Sequence, residues 1–430
     1  MAASGGTPVP VTRLTSVDEG DCWPQFLPDG RRFLYFRIGT SAETRGVYVG
    51  SLDGGEPTRV LRAETTAVYA PPGVLLHVRE GTLVAMRFDL AQGVVSGDPI
   101  PLAQGIGDGG FPLFRSVVAV STTGVLAYRA AGGERLRQLA WFDRAGVDRG
   151  TVGAPVQGFF IDAALSPDGG RAAMGRVVAG NLDVWLSDVG SGTQNRFTFD
   201  PHDDGQAVWS PDGSRIAFAS RRLGPGDLFE KPASGSSDEQ PLLLTREGKA
   251  PLSWSRDGRF LLYRAQGTDG LDRDLWALPL TGERKPFPVV QTPFDEASGD
   301  ISPDGKWVAY TSDESGRIEV YVQSFPGPGG KRQISTTGGS QIRWRPDGRE
   351  LFYVAADERL IAVPITLGAD GQLETGAPVP LFRTRISPYF DRHAQYSIAP
   401  DGRFLMNVVV EAPDVPPITV VLNWDAALMP

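Results

Sequence analysis

A short pattern of hydrophobic and polar positions recurs along the chain and predicts its secondary structure. In "AVWSPDGSRIAFAS", residues 207–220, an apolar stretch, a polar turn and an alternating stretch follow one another. The alternation in "RIAFAS" has the two-residue period of a strand, because successive side chains of a strand point to opposite faces. Proline before Asp-Gly presets one turn dihedral, and glycine supplies the positive φ of a tight hairpin. Each copy of the pattern therefore predicts a β-hairpin.

The hairpin pattern occurs nine times when the sequence is aligned on the turn glycine. Neighbouring glycines are 43 to 54 residues apart, a period typical of propeller blades or solenoid units. The residue four positions before the glycine is apolar in every copy. Seven copies are clear, and the two around residues 73 and 124 are degenerate. The turn glycines are Gly30, Gly73, Gly124, Gly169, Gly213, Gly258, Gly305, Gly348 and Gly402.

Two more strand-like stretches follow each of the first eight hairpins and predict a third and a fourth strand. After the third hairpin the third strand is "QLAWFD", residues 138–143. The ninth hairpin is followed only by "ITVVLNW", residues 418–424, whereas a spare strand, "VPVTRLTS" at 9–16, precedes the first hairpin. Because a closed ring of four-stranded sheets leaves only short edges, we expect residues 9–16 to pair with 418–424 and close the ring.

The sequence thus predicts an all-β protein, a single closed β-propeller of four-stranded blades over residues 1–430. Residues 1–8 are expected to form a flexible lead. Nine blades are predicted, and eight is the alternative if one degenerate unit fails to make its own blade. In this arrangement "SPDG" is a scaffold turn that joins the innermost strand to the next. The blades begin near residues 23, 66, 117, 162, 206, 251, 298, 341 and 395.

Composition narrows the classes of function. The net charge of −9 disfavours nucleic acid, whose backbone is bound through a basic face. The single cysteine, Cys22, excludes an intrachain disulfide and a cysteine-rich zinc site. The first residues lack the pattern of a signal peptide, and no window approaches the ~18 consecutive apolar residues of a membrane span. We expect a soluble monomer, with its native compartment left open.

Sequence motifs for catalysis are weak. "GIGDGG", residues 105–110, matches G-x-G-x-x-G, but a dinucleotide site needs a following helix and the next residues are strand-like. Neither G-x-S-x-G nor H-E-x-x-H occurs, and the protein-kinase motifs V-A-I-K, H-R-D and D-F-G are absent. We therefore predict a protein without catalytic residues or cofactor. A metal site is left open, since the three histidines lie far apart in sequence.

The candidate binding residues lie in loops that lead from a fourth strand to the next innermost strand, at one face of the propeller. These loops are acidic and carry a few aromatic residues, which would suit a cation, a basic peptide or an amine. Loops on a rigid scaffold are where binding residues concentrate, although solvated loop charges are the alternative interpretation. The candidates are Asp18, Glu19, Asp21, His202, Asp203, Asp204, Asp295, Glu296, Tyr389, Arg392 and His393.

The repeats also resemble those of known families. "WSPDGSRIAFAS" is similar to TolB-like, WD-related propeller repeats, and "NRFTFDP", "GGSQIRWRPDGRELFYVA" and "PITVVLNW" resemble the C-terminal propeller of bacterial serine/threonine protein kinases. The resemblance covers nearly the whole chain and is strongest over residues 138–365. It implies a sensor or interaction module placed after a kinase domain, often across a membrane helix, and it assigns no site residue.

Three functions are consistent with the sequence. The leading hypothesis is a non-catalytic sensor that binds a protein, peptide or small ligand at the channel mouth, as the extracytoplasmic part of a membrane-anchored kinase. The first alternative is a propeller lyase or glycoside hydrolase, which would need carboxylates or histidines converging in the axial channel. The second alternative is a structural spacer.

Overall fold

The computed structural model describes residues 9–14, 20–38, 43–106, 116–130, 136–156, 162–178, 181–266, 273–327, 329–368, 371–386, 394–411 and 416–428. These ranges contain strands and one short 3₁₀ turn, Trp424–Leu428, but no α-helix. Within them, no helix has the length and hydropathy needed to cross a bilayer. The all-β prediction is confirmed.

The strands are numbered in chain order. The first ten are β1 Gly20–Phe26, β2 Arg32–Ile38, β3 Gly46–Ser51, β4 Thr58–Leu61, β5 Ala67–Ala70, β6 Val74–Arg79, β7 Thr82–Asp89, β8 Val94–Gln104, β9 Val118–Val120 and β10 Val125–Arg129. The next fourteen are β11 Leu136–Phe142, β12 Asp148–Val156, β13 Ala164–Leu165, β14 Arg171–Val178, β15 Asn181–Asp188, β16 Gln194–Arg196, β17 Asp204–Trp209, β18 Arg215–Ser220, β19 Asp227–Pro232, β20 Gln240–Leu243, β21 Lys249–Trp254, β22 Phe260–Gln266, β23 Arg273–Pro279 and β24 Phe287–Val290. The remainder are β25 Gly299–Ile301, β26 Trp307–Ser312, β27 Glu319–Ser324, β28 Arg332–Gln333, β29 Gly339–Trp344, β30 Glu350–Ala355, β31 Arg359–Leu367, β32 Leu373–Thr375, β33 Val379–Arg383, β34 Tyr396–Ile398, β35 Phe404–Glu411 and β36 Ile418–Leu422.

The chain divides into two compact units. Unit 1 consists of residues 1–134 together with 412–430, and unit 2 consists of residues 135–411. Unit 2 is therefore continuous in sequence, whereas unit 1 is assembled from both ends of the chain.

Unit 2 contains six antiparallel sheets in its described residues. Four are runs of consecutive strands, β13 to β16, β17 to β20, β21 to β24 and β25 to β28. In the fifth, β29, β30 and β31 are followed by both β32 and β33 on β31. The sixth has the order β12-β11-β35-β34, with Leu139 of β11 opposite Asn407 of β35. This sheet joins the beginning of the unit to its end.

The cores of unit 2 link these sheets in a closed cycle. Each core is shared by two neighbouring sheets, so strands such as β18 are covered on both faces and bury Ile216 and Phe218 completely. The cycle closes where the fifth sheet packs on the sixth, with the rings of Phe352 and Phe404 5.2 Å apart. Sheets packed radially in a closed cycle form a propeller. In its described residues, unit 2 is a six-bladed β-propeller.

The Pro-Asp-Gly segments form the predicted hairpin turns. The nine turn glycines all have positive φ, from 67° to 148°. In the copy at 210–213, Ser210 Oγ donates to Asp212 Oδ1 (2.6 Å) and accepts from the backbone N–H of Arg215 (2.9 Å). The serine and aspartate thus satisfy polar groups that the tight turn leaves without strand partners.

Unit 1 contains three sheets in its described residues: β1 to β4, β5 to β8, and a three-stranded sheet β9-β10-β36. Two cores join them in series. The backbone N–H of Tyr69 donates to Gln25 Oε1 (2.8 Å) and ties the first sheet to the second. Strand β36 exposes alternate apolar side chains, since Ile418, Val420 and Leu422 are 58–69% exposed.

The predicted closing pair is not formed in the described residues. Residues 9–14 form no strand, and residues 15 and 16 lie outside the described ranges. Strand β36 instead pairs with β10, placing Val420 opposite Ala127. Strand β11, predicted to follow β10 in one sheet, pairs with β35. The two third strands have therefore exchanged hairpins relative to the prediction.

The exchange has a physical reason. Segments 138–143 and 418–424 have similar strand patterns, so the repeat alone does not determine which hairpin each one joins. A six-sheet ring leaves the edge of β35 open until β11 covers it, and β11 buries almost all of its residues there. Each of the nine repeats does correspond to one sheet, three in unit 1 and six in unit 2, among the residues described. A single nine-bladed ring over residues 1–430 stays a prediction.

Candidate functional site

The Pro-Asp-Gly turns of unit 2 gather at one end of its central channel. A β-carbon built on Gly213 would lie 3.6 Å from Pro167 of the preceding turn, and two other turn pairs are similarly close. Arg256, which replaces the proline in its copy of the motif, donates from Nη1 to the carbonyl oxygen of Pro346 two sheets away (2.7 Å). The end with open loops is therefore the opposite one, where fourth strands lead into innermost strands.

The channel itself is narrow and polar. Its cavity has a volume of about 20 Å³, which is room for a water molecule or a small ion rather than an organic ligand. Five sheets contribute strand residues to its lining, and Ala394, just before β34 of the sixth sheet, completes it. The polar lining residues are Asp162, Gln206, Ser298 and Arg343.

Asp162 connects two sheets at the channel wall. Its Oδ1 accepts the backbone N–H of Gly175 in β14 (2.6 Å), and its Oδ2 accepts that of Ala207 in β17 (3.2 Å). Burial raises the pKa of Asp162 to about 6, although both hydrogen bonds and the nearby Arg343 favour the ionised form. The carboxyl group is a structural bridge with both oxygens engaged.

Asp300 plays the same part between other sheets. Its Oδ1 accepts the hydroxyl of Ser253 in β21 (2.7 Å), and its Oδ2 accepts the backbone N–H of Trp344 in β29 (2.9 Å). Burial raises the pKa of Asp300, while Arg343 acts in the opposite direction. Two carboxyl groups thus hold the inner strands in position.

Arg343 brings a positive charge into this channel. It is half-buried and donates to the carbonyl of Ile342 (3.2 Å), and no carboxylate of the described residues lies within 4 Å of it. Beside it in the lining is Gln206, a non-glycine residue with φ of 61° at a bulge of β17. The hydroxyl of Tyr396, close enough to interact with Arg343, is buried without a partner among the described residues. The channel therefore offers hydrogen-bond donors that the described residues leave unused.

Of the predicted site residues, Asp203 and Asp204 lie in and beside β17. Asp204 is fully buried and accepts from Arg222 Nη2 (3.1 Å), and burial raises its pKa to about 6. Asp203 accepts the backbone N–H of Leu182 (3.0 Å). These acids connect strands within unit 2 rather than projecting freely from a loop.

Asp295 and Glu296 are also tied down. Asp295 forms a two-armed ion pair with Arg273, in which Nε donates to Oδ1 (2.6 Å). Glu296 is fully buried, and its Oε1 accepts the hydroxyls of Thr292 and Ser312. Its Oε2 has no partner among the described residues, and burial raises the pKa of Glu296 to about 7.

Exposed groups do remain on these loops. Phe199 is 64% exposed and Phe294 40%. The guanidinium of Arg196 lies 5.3 Å from the centre of the Phe199 ring. His202 is exposed, with Nδ1 2.9 Å from Asp200 Oδ1. The two loops precede β17 and β25, so their aromatic side chains belong to the same end of the propeller.

Of the remaining predicted site residues, the structure describes Asp21. Asp21 lies in β1 of unit 1 and is bound by both arms of Arg37 (2.7 and 2.9 Å). The rest fall outside the described residues: Asp18, Glu19, Tyr389, Arg392 and His393. A ligand role for the predicted set stays a prediction. The described acids share one feature missed by sequence reasoning, which is that arginine or hydroxyl partners already engage most of them.

The channel residues themselves were missed, although the repeat contains a signal for them. Asp162, Gln206 and Ser298 stand seven residues before their turn glycines, and Arg343 stands five before its own. In an innermost strand, the positions five and seven residues before the glycine point to the opposite face from the apolar position four before it. They therefore face the axis rather than a core. Polar variation at those two positions, compared across copies, identifies the channel lining.

Comparison with known proteins finds no matching family model and no matching curated protein. Among solved structures, a putative TolB from Agrobacterium tumefaciens is 18% identical, covering 65% of this chain and all of that chain with a TM-score of 0.49. TolB from Acinetobacter baumannii is 17% identical over 59% of this chain and 65% of its own, with a TM-score of 0.45. An oligogalacturonate lyase from Vibrio parahaemolyticus is 13% identical over 70% of this chain and 95% of its own, with a TM-score of 0.42. At such identities the likeness concerns the fold alone.

Proposed function

We propose that this chain is a non-catalytic binding platform, in which the six-bladed propeller of unit 2 recognises a protein, peptide or small ligand. The ligand binds at the end of the channel opposite the Pro-Asp-Gly turns. The observation that carries the proposal is the pair of exposed aromatic side chains, Phe199 and Phe294, on loops of that end. Exposed large apolar side chains on loops of a rigid scaffold are typical of binding sites.

The electrostatics of the same end support recognition. Phe199 lies between the cations of Arg196 and Lys231, at 5.3 and 5.6 Å from its ring centre. Arginine, hydroxyl or backbone donors engage the described acids near the mouth, so the exposed aromatic side chains remain for a ligand. Arg343 adds a half-buried cation in the channel lining.

The geometry gives the channel enzyme less support. A glycoside hydrolase needs two carboxyl groups free to act as acid and as base or nucleophile, with room for the sugar between them. Asp162 and Asp300 instead spend both oxygens on bonds between sheets. The cavity of about 20 Å³ also leaves no room for a sugar ring.

The biological setting we propose is the sensory part of a bacterial serine/threonine kinase. This part of the proposal rests on the sequence resemblance of the repeats and of "PITVVLNW". A propeller suits such a role because its ring is rigid while its loops vary.

The test is a thermal-shift screen of the full chain with peptides, glycans and divalent ions. We expect at least one class to raise the melting temperature, and the double substitution Phe199→Ser with Phe294→Ser to weaken that binding by about tenfold or more, as expected for buried aromatic contacts. Leu367→Ser is the matched control, because Leu367 is similarly exposed (55%) but lies in β31 away from these loops.

Two results would overturn the proposal. If no compound class shifts the melting temperature, the structural-spacer alternative is favoured. If the double variant and the Leu367→Ser control bind equally well, the ligand binds elsewhere on the chain.

A further inference from the structure

A second cavity in unit 2 lies at the end that carries the Pro-Asp-Gly turns, between the fifth and sixth sheets. Its volume is about 320 Å³, within the range of small-molecule sites. Its walls come from three remote segments: the β11–β12 turn, the turn before β30 with β30 itself, and the turn between β34 and β35. The lining residues are Asp143, Arg144, Arg345, Glu350, Phe352, Ile398, Asp401, Gly402 and Arg403.

This cavity marks a gap in the packing of the turns. A β-carbon built on Gly348 would lie within 4 Å of Pro303 in the preceding turn. At Gly402, as at the turn glycines Gly169 and Gly305, the same construction meets no atom within 4 Å. The proline that would fill the gap is Pro346, whose carbonyl oxygen accepts from Arg256. The space is thus open beside the turn of the sixth sheet.

The floor of the cavity is apolar. Phe352 is 2% exposed and packs its ring on Phe404. Ile398 is half-buried beside it. The guanidinium of Arg144 lies 5.9 Å from the centre of the Phe352 ring. A hydrocarbon group would find an apolar surface here with charged groups above it.

The carboxylates of the cavity are already used by other groups. Glu350 accepts from Arg144 with both oxygens and from Arg345 Nη1 (2.8 Å). Asp401 accepts the backbone N–H and Nε of Arg403 (3.0 and 2.7 Å).

Asp143, the third carboxylate, accepts backbone N–H groups of its own turn and both arms of Arg149. Hydrogen bonds to the ionised form hold the pKa of Asp143 and of Asp401 below the ordinary range. The carboxylates therefore offer a ligand little acceptor capacity.

The guanidinium groups have donors to spare. Arginine carries five N–H donors. Arg403 uses Nε for Asp401, and its guanidinium lies 4.5 Å from the centre of the Trp141 ring, while its two terminal amino groups have no hydrogen-bond acceptor among the described residues. Arg345 uses Nη1 and Nε, leaving Nη2 without an acceptor in the same ranges. A ligand in this cavity meets unused donors above an apolar floor.

We propose that this cavity binds a small organic carboxylate, with its hydrocarbon body on Phe352 and Ile398 and its carboxylate on Arg403 and Arg345. Planar guanidinium groups pair with carboxylates through parallel hydrogen bonds, which are stronger than neutral ones. The cavity is distinct from the channel mouth, so each of the two proposed binding sites can be tested without the other.

The chain provides a matched control for the test. Arg259 follows the same Asp-Gly turn in another sheet, donates Nε to Asp257 (2.5 Å) as Arg403 does to Asp401, and does not line the cavity. Arg403→Gln and Arg259→Gln remove the same kind of exposed ion pair, so stability effects of losing that pair should be alike in both.

The experiment is ¹⁹F NMR of the full chain with 4-fluorobenzoate and with uncharged 4-fluorobenzyl alcohol as probes. We expect the benzoate signal to broaden on binding and the alcohol signal to change much less. Arg403→Gln should weaken benzoate binding by about tenfold, the effect typical of a lost hydrogen bond to a charged group. Arg259→Gln should leave it unchanged.

Three outcomes would overturn the proposal. Equal binding of both probes would show that the cavity does not select a carboxylate. Equal affinity of wild type and Arg403→Gln would place the benzoate elsewhere, and absence of broadening in wild type would mean that no such site exists.

Discussion

Units 1 and 2 are built from the same repeat but differ in how their sheets end. In unit 2 six sheets share six cores in a closed cycle, and the sheet that closes the cycle takes strands from both ends of the unit. In the described part of unit 1 three sheets share two cores in series, and β36 is an exposed edge strand of the third sheet there. The repeat therefore determines the sheet, while closure depends on which distant strand joins the last hairpin.

The turns also differ between the units, in the burial and hydrogen bonding of their serine residues. Four turns of unit 2 have a buried serine that bonds its turn aspartate and the following strand, as Ser210 does. The turn at Gly124 in unit 1 uses an exposed Ser121 with Thr123 instead. The four serine turns thus lie in unit 2, whereas both degenerate turns, at Gly73 and Gly124, lie in unit 1.

The largest expected effect on stability comes from removing β11 and β12, the strands that close the ring of unit 2. We expect residues 135–411 to fold alone and to unfold cooperatively. A fragment of residues 157–411 lacks β11 and β12, so β35 and its core lose their cover. That fragment should lose its whole free energy of unfolding, of the order of 5–15 kcal/mol for a domain. Urea denaturation followed by tryptophan fluorescence measures this, and similar transitions for both fragments would contradict the closure.

An intermediate effect on stability is expected from Glu296, a buried acid of unit 2. Because the pKa of Glu296 is raised to about 7 in the folded state, from an ordinary value of 4.5 when unfolded, the folded chain holds its proton more tightly. The contribution of Glu296 to stability therefore falls as pH rises from about 4.5 to about 7. Glu296→Gln should stabilise the protein at pH 8 by up to roughly 3 kcal/mol, since one pKa unit corresponds to about 1.4 kcal/mol.

The pH dependence isolates this effect. The gain from Glu296→Gln should disappear at pH 4, where the glutamate is protonated in both states. Glu374→Gln, at an exposed position in β32, should show no such pH dependence. Denaturation midpoints at pH 4, 6 and 8 test it, and a gain that is equal at all three would refute the assignment.

The smallest expected effect on stability comes from substituting one turn serine in each unit. Ser210→Ala removes the bond to Asp212 and leaves the N–H of Arg215 without its acceptor, so we expect a loss of about 1 kcal/mol. Ser121→Ala, at the exposed turn of unit 1, should cost less than about 0.5 kcal/mol. Denaturant titration of both variants tests the difference, and an equal loss would remove the link between burial and turn chemistry.

Much of this architecture follows from local sequence signals. The hairpins and their turn glycines follow from alternation and turn chemistry within each repeat, and each of the nine repeats marks one sheet among the described residues. The partner of β11 could not be predicted, because pairing with β35 depends on the number of sheets that complete a ring and not on the sequence of β11.

The candidate site was less predictable for a related reason. Sequence places Asp204 and Asp295 on the right loops, but it does not show that Arg222 and Arg273 reach across to neutralise them. Asp162 and Arg343 lie 181 residues apart in sequence and meet only at the axis of a ring. Their positions relative to the turn glycine were visible, whereas their proximity required closure.

The most direct test of the closure is cysteine crosslinking in a Cys22→Ser background. Gln138 and Val408 are opposite each other in β11 and β35, so cysteines at these two positions should form a disulfide on mild oxidation, detected by mass spectrometry of the digested protein. Cysteines at Val11 and Val420, which would face each other if the N-terminal segment closed the ring, should stay reduced. A disulfide at 11 and 420 without one at 138 and 408 would contradict the account.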